Sequence, residues 1–241
     1  MSVPVEVIWL DMDAAGGASL AAFWQTLGED ERERASRFRF ARDRGRFIVR
    51  RGALRALLAR HLGCAASAIR YSRNKFGKPA VAASHIRFNA SHSHSIALYA
   101  VADGVEVGCD IERVDSALDI QAIAERFFAP QEISMLQSLP DHLRHAGFFN
   151  CWTRKEAYLK CRGCGLSEPP DSCVVSLAPG EPTRLLMGDE GVSLSSLETV
   201  PGYRAALAVE AMDAEIREPH DLATTFIGIP AGHAKDDRSA R

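Results

Sequence analysis

The chain has 241 residues, 46% of them hydrophobic, and its 29 basic and 31 acidic side chains give a net charge of −2. That length allows one large domain or two small ones with ample core, and the near-neutral charge gives no global reason to expect nucleic acid or an anionic membrane. No apolar run is long enough to cross a bilayer, and MSVPVEVIWLDMD lacks basic residues and meets Asp11 too early for a signal peptide. A cytoplasmic protein with its six cysteines reduced is expected.

Val3 to Leu10 is apolar and β-branched, the pattern of a buried strand. From Ser19 to Gly63 the period becomes helical, with Leu20, Phe23, Trp24 and Leu27 in one stripe and Leu54, Leu57, Leu58 and Leu62 in another. Between Gly28 and Arg60 lie eleven arginines against five acids, a local excess of +6. A solvated helix face explains this, and so does a pocket for a ligand with several phosphates, within reach of Arg46, Arg50 and Arg51. Tyr71 to Val81 is a loop marked by Asn74, Gly77 and Pro79, with Lys75 and Lys78 as its cations.

Asn89-Ala90-Ser91-His92-Ser93 reads as a polar turn, followed by a strand from Ile96 to Val101, a turn at Ala102-Asp103-Gly104 and a strand from Val105 to Ile111. Val114 to Ala117 reads as a linker, and amphipathic helices follow before Pro130, over Gln131 to Leu139, and from His142 to about Arg162. Beyond Pro169-Pro170 the pattern is β-like over Ser172–Leu177, Arg184–Met187, Val192–Leu197 and Tyr203–Val209, and a disordered tail is expected from Ile229. The expected class is α+β, helices and antiparallel strands in both halves, divided as residues 1–113, 114–228 and a 229–241 tail.

Two positions apart on a strand, Asp110 and Glu112 present their carboxylates to the same side. Solvent can satisfy such a pair, and so can a hard divalent cation. In the long helix Trp152, Glu156 and Lys160 recur at i, i+4 and i+8, so Glu156 can supply a third oxygen and Lys160 can meet a phosphate. Three acids with Lys and Arg suit Mg²⁺, which completes its shell with water and substrate phosphate. Zinc would want His or Cys. Cys161-x-x-Cys164 with His142 and His145 offers such a set, but the helix spaces these residues too widely for one ion, and reduced bystander thiols are expected.

Four motifs stand in order: Gly77-Lys78-Pro79, Asn89-Ala90-Ser91-His92-Ser93, Gly108-Cys109-Asp110-Ile111-Glu112 and Trp152-Thr153-Arg154-Lys155-Glu156-Ala157-Tyr158-Leu159-Lys160, with Gly163-Cys164-Gly165-Leu166 continuing them. Together they resemble the 4′-phosphopantetheinyl transferases of the Sfp type over about residues 5 to 210. The resemblance implies two similar subdomains in one chain, a pseudo-dimer with the active site in the cleft between them. It implies transfer of the phosphopantetheine arm of coenzyme A to a serine of an acyl or peptidyl carrier protein, with release of 3′,5′-ADP.

By matched position, Asp110, Glu112 and Glu156 would hold Mg²⁺, and Lys160, with Lys155 assisting, would contact the phosphate. Ser91 and His92 would bind coenzyme A phosphates. Lys78 would lie along the nucleotide in the Lys75-to-Pro79 loop, where Gly77 admits close approach, with Arg46 and Arg51 from the Arg-rich helix. Glu156 would also be the base. The carrier would present an acidic helix; the Phe148-Phe149 pair and Ala117–Pro130 could receive it, and core packing explains both equally well; a monomer is expected. Glu31 stands where relatives often place lysine, which puts more weight on arginine for the 3′-phosphate. Two other readings stay open: a catalytically silent coenzyme A- or carrier-binding relative, and a Mg²⁺-dependent nuclease.

Overall fold

The computed structural model describes residues 2–165 and 168–217. The described elements run β1 (Val3–Asp11), α1 (Gly17–Thr26), α2 (Glu29–Ser36), α3 (Ala41–Leu62), β2 (Tyr71–Arg73), β3 (Pro79–Val81), β4 (Ile86–Ser93), β5 (Ile96–Asp103) and β6 (Val107–Arg113). They continue with α4 (Ile120–Phe127), α5 (Pro130–Ser138), α6 (Asp141–Arg162), β7 (Val174–Val175), β8 (Leu185–Met187), β9 (Ser193–Ser196), β10 (Tyr203–Val209) and β11 (Ala214–Arg217). The class is mixed α+β. Leu166 and the expected tail at 229–241 lie outside the described residues.

Two sheets carry the core. One has the order β11-β1-β5-β4 and the other β6-β10-β9. Alternation along β1 and β5 divides their side chains between two cores. Ile8, Leu10, Tyr99 and Val101 meet Phe23, Leu54 and Leu58 of α1 and α3. Val5, Val7, Leu98 and Ala100 meet Cys109, Ile111, Leu207 and Val209 of the second sheet. With both faces covered, β5 is buried from Ala97 to Ala102, which its unbroken small and apolar sequence permits. On its far side the second sheet packs against α6, where Ala157, Tyr158 and Cys161 meet Ala206 and Ala208.

Two strand pairings cross residue 113. β6 pairs antiparallel with β10, and β11 returns to pair with β1 in parallel, Val3 opposite Ala214. A second difference concerns Asn89–Ser93, expected as a turn. These residues are the end of β4, paired residue by residue with Ala100 to Ile96. The chain reverses only at His94, whose φ is 51°. Polar composition suggested a loop there, but Asn89, Ser91 and Ser93 are buried because each serves β6 as a hydrogen-bonding partner.

Close approach of α6 to β6 depends on Gly108. A Cβ there would lie 2.1 Å from the Ala157 carbonyl oxygen and 2.3 Å from the Cys161 nitrogen, both backbone atoms that cannot rotate away. Gly108→Ala is therefore expected to lower unfolding free energy by at least about 2 kcal/mol in urea denaturation. Gly45→Ala, in α3 with nothing within 4 Å of the added carbon, is expected to raise it by up to about 1 kcal/mol.

Candidate active site

β4 and β6 are edge strands of different sheets, and along their meeting line side chains replace the backbone ladder. Asn89 Oδ1 accepts from the Cys109 N–H at 3.0 Å. Ser91 Oγ donates to Asp110 Oδ1 at 2.7 Å. Ser93 Oγ donates to Glu112 Oε2 at 2.9 Å and accepts from the Arg113 N–H at 3.1 Å. Period-two alternation puts all three donors or acceptors of β4 on one side. Ser93 belongs to this set although its role is absent from the motif-based reading. Treating Asn89–Ser93 as a turn concealed the alternation that would have found it.

α6 closes the site from the other side. Lys160 Nζ donates to Asp110 Oδ1 at 2.6 Å and approaches Ser91 Oγ at 3.3 Å. Glu156 lies one turn earlier on the same face. Burial pushes the Asp110 carboxyl up, against Lys160, Ser91 and a backbone N–H that favour its charged form. For Lys160 burial opposes charge, but Asp110 with Cys109 and Glu156 outweighs it and the pKa is raised. Glu112 and Glu156 are also pushed up, first by burial and, for each, by the Asp110 charge, while Lys160 pulls them back. Acidic groups are thus concentrated around one ammonium.

The donor set fits a divalent cation. Asp110 is 2% exposed, and its Oδ2 is buried with no hydrogen-bond partner among the described residues. A carboxylate oxygen left so is costly unless something else binds it. The nearby carboxylates of Glu112 and Glu156 supply further oxygen, the ligand chemistry of Mg²⁺. Among the described residues no three acidic, His or Cys side chains are drawn together as a ready-made metal cluster. Lys160 holds the compensating charge at Asp110 instead.

Beside this seam lies a cavity of about 380 Å³, lined by Phe76, Gly77, Lys78, Pro79, Asn89, Ala90, Glu156, Leu159, Lys160 and Gly163. Its loop is clamped to the end of α6, where Asn74 Nδ2 donates to the Gly163 carbonyl at 2.8 Å. Gly163, at φ 64°, ends the helix in the left-handed conformation and leaves that carbonyl available. Gly77 and Pro79 line the cavity, and Lys75 lies outside it, exposed, its ammonium 4.8 Å from the Phe76 ring centre. Another cavity, about 410 Å³ and lined by Glu6, His61 and Arg217 among others, contains none of the seam residues.

Several expected ligands are held elsewhere. Lys155, expected beside the phosphate, is 3% exposed and points into the C-terminal lobe, bonded to Glu132 at 2.7 Å and to the Cys173 carbonyl. It is one residue from Glu156, and the helical turn of about 100° per residue sends it to another face. Lys78 Nζ donates to Glu106 at 2.6 Å and to the Val107 and Cys161 carbonyls, bracing the loop against β6 and α6. Ser91 is directed to Asp110. Arg46 pairs with Asp13, and Arg51 and Arg55 both pair with Glu31. Glu31 therefore fixes Arg51, which the sequence suggested was free for phosphate. Phe148 and Phe149 are core residues, 1% and 5% exposed.

His92 is the remaining polar group. Arg50 Nη1 donates to its Nδ1 at 2.9 Å. The His92 side chain is exposed on its open side; desolvation on its covered side, then the Arg50 and Lys160 charges, push the imidazole down to about 4, a direction that favours the neutral ring at pH 7.

Comparison with known proteins agrees with this arrangement of motifs. Residues 106–208 match the model of the 4′-phosphopantetheinyl transferase superfamily, and residues 16–103 match that of the 4′-phosphopantetheinyl transferase N-terminal region. The 4′-phosphopantetheinyl transferase HetI of Nostoc sp. is 38% identical over 188 residues, which cover 76% of this chain and 78% of that protein. The chain belongs to the 4′-phosphopantetheinyl transferase superfamily. The 4′-phosphopantetheinyl transferase Sfp of Bacillus subtilis is 29% identical over 188 residues, 77% of this chain and 83% of Sfp. A crystal structure of a holo-(acyl-carrier-protein) synthase from Bacillus anthracis, in complex with CoA (3′,5′-ADP), is 22% identical with a TM-score of 0.37, covering 44% of this chain and 94% of that one. Among the described residues no helix is long and apolar enough to cross a membrane.

The position of Lys155 can be checked apart from activity. Lys155→Met leaves Glu132 buried and uncompensated, and is expected to cost about 3–5 kcal/mol in urea denaturation. Adding Glu132→Leu should recover part of that loss, whereas a solvent-exposed phosphate ligand would change stability by less than about 1 kcal/mol.

Proposed function

We propose that this chain transfers the 4′-phosphopantetheine arm of coenzyme A to a serine of an acyl or peptidyl carrier protein, releasing 3′,5′-ADP. The observation that carries the reading is Asp110, a buried carboxylate held by Ser91 and Lys160 with its second oxygen unpartnered, beside a cavity able to take part of a nucleotide substrate. Mg²⁺ bound by Asp110, Glu112 and Glu156 would neutralise pyrophosphate charge and polarise the phosphorus.

The remaining roles follow from the chain's own groups. Lys160, already between acids and next to the cavity, can turn its ammonium to a phosphate oxygen and oppose charge that develops in the transition state. Glu156 accepts the proton of the carrier serine. Glu156 lines the cavity on the helix face that carries Lys160, where the serine hydroxyl would approach. The serine oxygen then forms its bond to the phosphorus bearing pantetheine as the bond to the departing 3′,5′-ADP oxygen breaks. His92 donates a hydrogen bond to phosphate, and Lys75 offers a further cation at the loop. Arg46 and Arg51 would reach the nucleotide only by loosening Asp13 and Glu31.

The reading includes two related subdomains, 1–113 and 114–228, arranged as a pseudo-dimer in which α6 of the second faces β4 and β6 of the first. Both halves of the site then come from one chain, which makes a monomer the expected working unit. The carrier's acidic helix would dock near the metal, and the setting would be cytoplasmic.

Intact-protein mass spectrometry tests the reaction. Apo carrier proteins incubated with this protein, coenzyme A and Mg²⁺ should gain the phosphopantetheine mass, and Asp110→Ala and Glu156→Gln should each slow that gain by at least about a thousandfold, or ~4 kcal/mol of transition-state stabilisation. Tight coenzyme A binding with no mass gain on any carrier would instead support a silent relative. Metal-dependent cleavage of nucleic acid without coenzyme A would support a nuclease.

A further inference from the structure

Arg50 differs from its neighbours on α3. Arg46 and Arg51 are each neutralised by a carboxylate, Asp13 and Glu31. Among the described residues Arg50 has no acidic partner within ion-pair distance, and its guanidinium hydrogen-bonds the His92 ring. Its own placement is fixed twice. The backbone carbonyl of Arg50 accepts from the buried Tyr99 hydroxyl at 2.9 Å, and its guanidinium lies 6.0 Å from the Phe47 ring centre.

A guanidinium has donors and no acceptor. The 2.9 Å contact therefore requires a lone pair on His92 Nδ1. In a neutral ring the single N–H must then sit on Nε2, which points away from Arg50 and has no hydrogen-bond partner among the described residues. We propose that Arg50 is a positioning residue for His92, locking the neutral ring with Nδ1 as acceptor and Nε2–H as the donor to a coenzyme A phosphate oxygen. The phosphate-binding part rests on the transferase reading above. The ring is exposed on its open side, and the charged groups felt on its covered side are Arg50 from α3 and Lys160 from α6, both cations, which reinforce the neutral state that partial desolvation favours. A third positive charge on His92 is thus resisted, and the ring binds phosphate as a fixed dipole and does not shuttle the proton, which leaves that task to Glu156.

Ring-nitrogen NMR on ¹⁵N-histidine-labelled protein tests this, with His92 assigned by the resonance lost in His92→Asn. Wild-type His92 should show the Nε2–H tautomer and remain neutral from pH 8 to below 5.5. Arg50→Met should give mixed tautomers and move the midpoint up toward the ordinary value of about 6.5. Arg50→Lys, which keeps a cation on α3 with a single-point donor, should fall between them. In transfer assays Arg50→Met should raise KM for coenzyme A about tenfold with a smaller change in kcat, the signature of lost substrate binding. A wild-type Nδ1–H tautomer, or a spectrum and KM that Arg50→Met leaves unchanged, would overturn the proposal. The spectrum needs neither coenzyme A nor carrier, so a failure of the ring assignment is read separately from a failure of the transferase reading.

Discussion

Asp110 is the constraint on which the site depends. Three elements must converge for a 2%-exposed carboxylate to be tolerated: β6 carries it, β4 sends Ser91 and α6 sends Lys160. Removing one partner of a fully buried pair costs about 3–5 kcal/mol; the Lys160 side chain is 30% exposed, so the cost here is smaller but still a sizeable part of the stability of an ordinary domain. The register of β4 beside β6 and the depth of α6 against β6 are therefore not independent. Gly108, two residues before Asp110, admits the helix backbone, and that approach brings Lys160 to the carboxylate.

Two other buried acids show what a structural carboxylate looks like in the same chain. Glu132 accepts from Lys155 and the N–H groups of Ala129 and Val175, using both oxygens. Glu31 uses both on Arg51, Arg55 and the Gly28 N–H. Each joins helices and loops, and neither has an oxygen to spare. Among the described residues Asp110 Oδ2 has no hydrogen-bond partner, although its sister oxygen has two. Full satisfaction marks architecture, and the open buried oxygen beside other carboxylates is the feature on which the proposed cation site rests.

The same contrast explains what the sequence could and could not reveal. Period two along Val107–Arg113 put Asp110 and Glu112 on one side, and period 3.6 along α6 put Glu156 with Lys160, because burial follows these periods directly. Lys155 has the same charge as Lys160 and stands next to Glu156. Only the packed lobe, with Glu132 facing it, separates a core ion pair from a site cation. Glu31 is similar: its acidic charge was visible, but not the long-range pairing with Arg51 and Arg55. Ala214–Arg217 escaped notice because four residues of mixed polarity become a strand only beside β1. Composition misled at Asn89–Ser93, where buried polar side chains bridge two sheets in the manner of a ladder.

The most direct measurement is Mn²⁺ binding, a magnetic stand-in for Mg²⁺, followed by electron paramagnetic resonance on the whole protein with and without coenzyme A. One site is expected, bound more tightly when coenzyme A is present and lost in Asp110→Asn, which keeps the size of the side chain but removes its charge. A site that survives Asp110→Asn, or that coenzyme A weakens, would contradict the assignment of this seam as the catalytic metal site.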